Sequence, residues 1–301
     1  MEKHTNESVL KELRGNAGLL PVSIDLQKNQ VRWIDFEGYH FYESFFYRSI
    51  DVFSALKKNK VYSLVTDIDI LEEDAVIADH LYPTGFIFHA SRCGSTMLSK
   101  VLSRSRENHV ISEAGPLNSI WQFFAQNNES PRFTEEHRKK IYRNLLLAMG
   151  RRRNSAHKHY FVKFTSFNIH FFEFIHALFP GVPGIFLSRN SDDIIRSFDQ
   201  KLPDWLQPGN DKLVRAITGS NEFDPKRIVE DFIAAAKKYP PDVLKSFDYE
   251  DLKPEILPVI LRHFNVSVSQ EQLALMQTQF LYDSKVEFNQ KKFDATDIGS
   301  L

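Results

Sequence analysis

The chain of 301 residues is nearly neutral, with 38 Lys and Arg against 39 Asp and Glu, and 42% of its residues are hydrophobic. This length suits one large domain, or one domain with a small appendage, because domains commonly span about 100–200 residues. Balanced charge argues against a nucleic-acid partner, since duplex-binding domains are usually basic. The hydrophobic content argues against wholesale disorder. The single cysteine excludes an intrachain disulfide framework and a cysteine-rich zinc cluster.

Two features of the sequence bear on location. Residues 1–16 are charged, unlike the apolar segment of a secretory signal peptide. No apolar run reaches the roughly 20 residues that a membrane helix needs. We therefore expect a cytoplasmic protein without an integral membrane segment.

The first 80 residues combine a strand-like pattern with a helical one. Residues 22–26 and 31–36 alternate apolar and polar side chains around a polar stretch, which is typical of a β-hairpin. Apolar residues between 43 and 60 recur at helical spacing. We predict a hairpin-plus-helix extension over residues 1–80 and a second domain over residues 81–301.

After residue 80, short apolar strands alternate with helical patterns. Strands are predicted at residues 85–89, 109–112, 160–164, 184–187 and 243–249, and helices at 97–102, 135–150, 168–178, 192–200, 226–238, 254–264 and 270–279. This alternation predicts an α/β fold in three layers, a parallel sheet with helices on both faces. Ligands of such sheets bind beyond the carboxyl ends of the strands.

A loop of small residues follows the first of these strands and runs Ala90-Ser91-Arg92-Cys93-Gly94-Ser95-Thr96. Backbone N–H groups in such a turn, together with the start of the next helix, attract anions. Gly94 allows close approach, Ser95 and Thr96 add hydroxyl donors, and Arg92 adds a planar cation. The pattern predicts a phosphate or sulfonate cradle, the alternative being an ordinary strand–turn–helix.

The loop differs from the usual nucleotide-triphosphatase signature. That signature, G-x-x-x-x-G-K-[ST], places a lysine directly before the hydroxyl residue. Here Gly94 precedes Ser95, and the positive charge lies earlier, at Arg92.

Two later segments carry further candidates. Arg189 ends a strand and Ser197 lies eight residues on, in the next helix, so that both could contact one phosphate. The alternative is a salt-bridged arginine and a solvent-facing serine. The segment Asp248-Tyr249-Glu250-Asp251-Leu252 precedes another helix, and its carboxylates could cap that helix.

These three segments, in this order, resemble the sulfotransferases that use 3′-phosphoadenosine 5′-phosphosulfate (PAPS), chiefly their bacterial and protein-tyrosine types. The family loop P-[KR]-[SC]-G-[ST]-T is similar to Ser91–Thr96, with Ser91 in place of proline. The family segment R-N-P-x-D-x-x-x-S is similar to Arg189–Ser197, and [RK]-Y-E-D-L is similar to Asp248–Leu252. The resemblance extends over residues from about 84 to about 290 and implies a P-loop-type sheet.

The resemblance implies an activity and roles for individual residues. A sulfonate would pass from PAPS to a hydroxyl or amine by in-line displacement, leaving 3′-phosphoadenosine 5′-phosphate (PAP), without a metal. The residues implied to bind the nucleotide are Arg92, Cys93, Gly94, Ser95, Thr96, Arg189 and Ser197. The implied catalytic residues are Arg92 beside the leaving group, Lys163 near the sulfonate and Glu113 as the base.

Some of these residues have alternatives. Glu113 could instead be a surface or capping residue, Lys163 an exposed lysine at a strand end, and His89 the base in place of Glu113. Cys93 lies beside Arg92 at a helix start, a setting that lowers a thiol pKa, although it could simply replace a small serine, the interpretation we favour.

Other questions stay open at this point. The acceptor could be a small molecule, a carbohydrate or a peptide, and the oligomeric state is unknown. The basic run Arg151–Arg153 is typical of a solvated loop, or could attract an anionic acceptor. Lys291 and Lys292 are candidates for closing over the nucleotide. The competing functions are a P-loop kinase or NTPase that uses ATP, and a non-catalytic protein that binds PAP or a partner.

Overall fold

The computed structural model describes residues 7–127, 130–131, 133–199, 202–203, 206 and 224–282. The described strands are β1 (Leu19–Asp25), β2 (Gln30–Asp35), β3 (Ser63–Asp67), β4 (Gly85–His89), β5 (Asn108–Ser112), β6 (His159–Lys163), β7 (Gly184–Ser188) and β8 (Leu244–Asp248). The described helices are α1 (Glu7–Gly15), α2 (Phe46–Leu56), α3 (Ser95–Ser103), α4 (Gly115–Gln126), α5 (Glu135–Met149), α6 (Phe172–Leu178), α7 (Ser191–Phe198), α8 (Pro225–Ala236), α9 (Leu257–His263) and α10 (Gln270–Gln277). Short 3₁₀ turns lie at Ile68–Glu72, Asp74–Ile77, Ser166–Phe171, Tyr249–Asp251, Pro254–Ile256 and Thr278–Leu281.

The larger sheet has five strands in the order β5-β6-β4-β7-β8. Every neighbouring pair in it is parallel. The predicted α/β fold with a parallel sheet is therefore confirmed. Strand β4 lies at the centre, so the loop that follows it emerges at the middle of the carboxyl edge.

The three central strands, β6, β4 and β7, are buried on both faces, which explains why they are largely apolar, whereas the edge strand β8 includes both buried and exposed residues. Alternate residues of β4 enter two different clusters: Phe86 and Phe88 face one, and Ile87 faces the other. The first cluster includes side chains of α4, α5, α6 and α8, and the second includes side chains of α3, α9 and α10. Helices thus cover the sheet on both sides, giving three layers.

The N-terminal part forms a second, antiparallel sheet in the order β1-β2-β3. The predicted hairpin is β1–β2, and β3, which the sequence analysis did not predict, pairs with β2. The predicted helix between residues 43 and 60 corresponds to the shorter α2. Trp33 lies in the same hydrophobic cluster as Phe86 of the large sheet, so the two sheets share a core. The division at residue 80 stays a prediction.

The expectation of a solvated basic loop at Arg151–Arg153 is wrong for two of the three residues. Arg151 is fully buried, and its guanidinium donates to the carbonyls of Leu13 and Leu19. Arg153 is also buried and donates to the carbonyl of Tyr39. Burial lowers the pKa of Arg151 to about 10 and that of Arg153 to about 9. These two cations hold the N-terminal segment against the large sheet instead of facing solvent.

Candidate functional site

The predicted site residues gather along the carboxyl edge of the large sheet. The loop Ala90–Gly94 follows β4, and Ser95 and Thr96 begin α3. Glu113 directly follows β5, Lys163 ends β6, Arg189 directly follows β7, and Ser197 lies on α7. Four strand ends therefore contribute side chains to one region.

The loop after β4 has an unusual backbone. Ser91, Arg92 and Gly94 all have positive φ angles, of 78°, 50° and 80°. Residues other than glycine seldom adopt such angles, and runs of them concentrate at functional sites. Gly94 is required twice over, because a Cβ atom there would also lie 2.6 Å from Cδ1 of Leu252. The predicted cradle therefore has a backbone that an ordinary strand–turn–helix would not need.

Arg92 connects the loop to the second segment. Its Nε lies 3.4 Å from Oγ of Ser197, and its terminal NH2 group donates to the carbonyl of Ser197 over 3.2 Å. Ser197 Oγ in turn donates to the carbonyl of Ile194 over 2.6 Å. The structure thus brings together two residues that are 105 positions apart in the sequence.

Arg189 joins the second segment to the third. Its guanidinium lies 4.4 Å from the ring centre of Tyr249, a cation–π contact, and its Nε lies 3.9 Å from Asp193 Oδ2. Tyr249 and Leu252 are also the side chains nearest to Gly94. Asn190 caps α7 by accepting from the N–H groups of Asp192 and Asp193. The third segment, predicted to be structural, therefore forms one wall of the loop.

Lys163 and Glu113 form a buried ion pair below the loop. Lys163 is fully buried, and its Nζ donates to Oε1 of Glu113 and lies 3.3 Å from Oγ1 of Thr96. Burial alone would raise the pKa of Glu113, but the nearby Lys163 and His89 outweigh it and lower that pKa to about 2. The alternatives of an exposed lysine and a surface glutamate are wrong, because both charges lie within the site.

His89 adjoins the same pair. It ends β4, is 4% exposed, and its Nε2 lies 3.4 Å from Oε1 of Glu113. Its Nδ1 accepts from the backbone N–H of Ser91 over 3.0 Å. Burial lowers the pKa of His89, so the ring is neutral at pH 7. With Nδ1 already accepting and Nε2 carrying the proton, the ring has no free nitrogen to act as a base.

The thiol of Cys93 points away from the loop. It is fully buried and donates to the carbonyl of Leu187 over 3.1 Å. Burial raises the pKa of this thiol to about 12. The expectation of a lowered pKa, based on the position of Cys93 at the start of a helix, is therefore wrong. Cys93 can contribute its backbone N–H to an anion, but not a thiolate.

A residue that the sequence analysis missed enters the site from the N-terminal extension. The ring centre of Phe45 lies 5.1 Å from Nζ of Lys163, and the ring stacks on Tyr47 at 5.7 Å. Ser112, next to Glu113, fixes this segment by donating to the carbonyl of Ser44 over 2.9 Å. No local pattern signals this contact, because it depends on how the extension packs on β5.

Among the described residues, no group of three or more His, Cys, Asp or Glu side chains is placed to hold a metal ion. Within the same residues, no helix combines the length and apolar character needed to cross a membrane. Lys291 and Lys292 lie outside the described residues.

Comparison with solved structures finds similar folds at low sequence identity. The sulfotransferase STF1 of Mycobacterium tuberculosis H37Rv aligns over 93% of this chain and 96% of its own, with 13% identity and a TM-score of 0.45. The sulfotransferase STF9 of Mycobacterium avium aligns over 99% of this chain and 96% of its own, with 10% identity and a TM-score of 0.45. A sulfotransferase domain of the curacin biosynthetic pathway aligns over 70% of this chain and 82% of its own, with 16% identity and a TM-score of 0.41.

Searches with family models and among curated proteins find no match. The structures above are all of sulfotransferases, the family that the three sequence segments resemble. Likeness at these identities and TM-scores does not extend to activity or substrate.

Proposed function

We propose that this chain is a sulfotransferase that moves a sulfonate from PAPS to a hydroxyl or amine acceptor by in-line displacement. One observation carries the proposal: the three segments that resemble the family meet around Gly94, through Arg92–Ser197 and Arg189–Tyr249. The pair Lys163–Glu113 adjoins them through the contact of Lys163 with Thr96.

The donor half of the site suits a nucleotide with two separate phosphate groups. The loop N–H groups and the start of α3 form the anion cradle for the 5′-phosphosulfate, with Ser95 and Thr96 as added donors. Arg189, directly after β7, and Ser197, on α7, lie beside it and are proposed to bind the 3′-phosphate. Arg92, which contacts Ser197 in this structure, would turn toward the leaving phosphate.

The other half of the site suits the transfer step. The acceptor oxygen or nitrogen attacks sulfur while the bond from sulfur to the bridging phosphate oxygen breaks, and the acceptor's proton must be removed. Glu113 is ionised at neutral pH, since its pKa is about 2. When the sulfonate draws Lys163 toward it, the carboxylate loses part of its stabilisation and gains proton affinity. Lys163 then balances charge on the sulfonate and Glu113 takes the proton.

Two other functions remain as alternatives. An ATP-using kinase or NTPase would normally have a lysine at the place of Gly94. Lys163, at the end of β6, contacts Thr96 at the start of α3. It could therefore supply such an enzyme with a substitute cation. A protein that only binds PAP would need the donor half alone, whereas the buried pair Lys163–Glu113 is an addition that PAP binding does not require.

The test compares melting temperatures with PAP, PAPS and ATP–Mg²⁺ in the wild type, in Arg189→Ala and in Arg227→Ala. Arg227 is an exposed arginine of α8 and serves as the matched control. We expect PAP to stabilise the wild type and Arg227→Ala but not Arg189→Ala. Stabilisation by ATP–Mg²⁺ alone would overturn the proposal.

Transfer itself is tested with PAPS labelled in its sulfonate, offered to hydroxyl and amine acceptors of the small-molecule, carbohydrate and peptide classes. We expect labelled product that depends on Glu113 and Lys163. PAP binding without transfer to any acceptor or to water would favour the non-catalytic alternative.

A further inference from the structure

His89 lies between the two halves of the candidate site. It is the last residue of β4, it is only 4% exposed, and the loop with positive φ angles follows it. The charged groups beside its ring are Glu113 and Lys163. A buried imidazole in this place needs an explanation, because the proposed transfer step does not use it.

One ring nitrogen is committed to the loop. The N–H of Ser91 donates to Nδ1 over 3.0 Å, and Oγ of Ser166 lies 3.2 Å from the same atom. A backbone N–H can only donate, so Nδ1 is the acceptor and the neutral ring carries its proton on Nε2. The bond to Ser91 holds the first residue of the loop that has a positive φ angle.

The other ring nitrogen faces the proposed base. Nε2 lies 3.4 Å from Oε1 of Glu113, the same oxygen that accepts from Lys163. The geometry of this contact is not that of a hydrogen bond, and Nε2 is a buried polar atom without a hydrogen-bond partner. Catalytic hydrogen bonds are often long or poorly aligned before substrate binds. With both neighbours on Oε1, the second carboxylate oxygen, Oε2, is left to receive the proton of the acceptor.

We infer that His89 is a positioning residue that couples the two halves of the site, holding the loop at Ser91 through Nδ1 and orienting the Glu113 carboxylate through Nε2. The inference rests on the proposed function. It replaces the hypothesis that His89 is the base, because neither nitrogen of the neutral ring is free to take a proton.

Two conservative variants separate the two contacts. In His89→Asn the shorter amide places its oxygen near the position of Nδ1 and cannot reach Glu113. In His89→Gln the longer amide places its end group near the position of Nε2 and leaves the N–H of Ser91 unpaired. The matched control is His263→Asn, because His263 contacts the carbonyl of Gly184 at the opposite, amino end of β7.

PAP affinity is measured by calorimetry, and turnover is measured as PAP released from PAPS, with water or an identified acceptor. His89→Asn should keep PAP affinity and lose turnover by roughly 10–100-fold, the usual result of a misplaced catalytic group. Its acid limb in the pH profile should move to higher pH, because Glu113 loses a contact that lowers its pKa. His89→Gln should weaken PAP binding by about tenfold, the effect of one lost hydrogen bond.

Several results would overturn the inference. Equal losses of affinity and turnover in both variants would show a merely structural residue, and unchanged values in both would show no role. Nitrogen chemical shifts of His89 in the wild type provide a check that needs no variant: a proton on Nδ1 instead of Nε2 would contradict the coupling. If the wild type binds no PAP at all, the proposed function fails, a result distinct from any of these.

Discussion

Lys163 and Glu113 form an ion pair in which the lysine side chain is completely buried and the glutamate side chain is 14% exposed. Lys163 ends β6 and Glu113 directly follows the neighbouring strand β5, whose parallel register places Ser112 opposite Lys163. Glu113 has a φ angle of 51°, so the chain turns directly after β5 and brings the carboxylate back over the end of β6. The pair therefore follows from the topology of the sheet.

We expect Glu113→Gln to lower the free energy of unfolding by about 3–5 kcal/mol, since it leaves the Lys163 ammonium buried without a counter-charge. The double variant Glu113→Gln with Lys163→Met should recover most of this loss, because no uncompensated charge remains. Urea denaturation at pH 7 measures both.

The matched control for this prediction is Glu107→Gln. Glu107 pairs with Lys158 over 2.5 Å, but the lysine side chain is 63% exposed, so we expect a cost of about 0–1 kcal/mol. Equal costs for Glu107→Gln and Glu113→Gln would contradict the assignment of a buried pair.

Gly94→Ala should abolish PAP binding and cost more stability than another glycine substitution with the same backbone angle. Gly181 has a φ angle of 81° but open space around its α-carbon, whereas a Cβ at Gly94 meets Leu252. Gly181→Ala should therefore cost about 1–2 kcal/mol from the left-handed backbone alone. Thermal melting with and without PAP compares the two, and retained PAP binding in Gly94→Ala would count against the cradle.

The sheet was predictable from the sequence because its central strands are short, largely apolar runs and its edge strand β8 combines apolar and polar residues. Residues 85–89 correspond to β4 without adjustment. The third strand of the small sheet was missed because Ser63–Asp67 is half exposed, so it lacks the apolar run of a buried strand. Helix α4 was missed since Gly115 and Pro116 open it, and these residues more often indicate a turn.

The candidate site divides in the same way. Arg92, Gly94, Arg189 and Ser197 follow from local motifs, and the structure brings their segments together. Local motifs do not predict three other features of the site: the burial of Lys163, the raised pKa of Cys93 and the contact between Phe45 and Lys163. Each of these features depends on side chains that a neighbouring strand or the N-terminal extension places nearby. The spacing of residues within one segment does not predict such contacts.

The histidines His40, His109 and His157 should make the protein less stable as the pH falls below about 6.5. They are buried together beside Arg153, with Arg106 and Arg152 as further cations near His40 and His157, and the rings of His109 and His157 stack at 5.3 Å. Burial lowers the pKa of His40 to about 4 and that of His157 to about 3. Between pH 6.5 and these values the unfolded chain binds protons that the folded chain does not. The free energy of unfolding therefore decreases as the pH is lowered through this range.

The variant His157→Phe tests this pH dependence. It should flatten the plot of unfolding free energy against pH between pH 5 and 6.5 by up to about 1.4 kcal/mol per pH unit, the amount for one proton. Glu113 does not contribute in this range, because the pH window of its stabilisation lies between its ordinary value of 4.5 and about 2. An unchanged slope would show that His157 is protonated in the folded chain.

Phe45→Ala should increase the hydrolysis of PAPS, in which the sulfonate passes to water and PAP is released. It should leave the affinity for PAP unchanged. The Phe45 ring covers the Lys163 ammonium, and Lys163 is fully buried. The cation–π and aromatic contacts of Phe45 are with Lys163 and Tyr47, and neither of these residues is proposed to bind PAP. Removing the ring admits water to the reacting groups, which a closed active site normally excludes.

Tyr47→Ala is the control for this last prediction, because Tyr47 stacks on Phe45 but is 43% exposed. Calorimetry gives PAP affinity, and chromatography gives PAP release without acceptor. Greater hydrolysis in Phe45→Ala than in Tyr47→Ala, at equal affinity, would identify the extension as the wall on the acceptor side. Weakened PAP binding in Phe45→Ala would instead place its role in forming the donor pocket, and the N-terminal extension would then act through Lys163 on the loop itself.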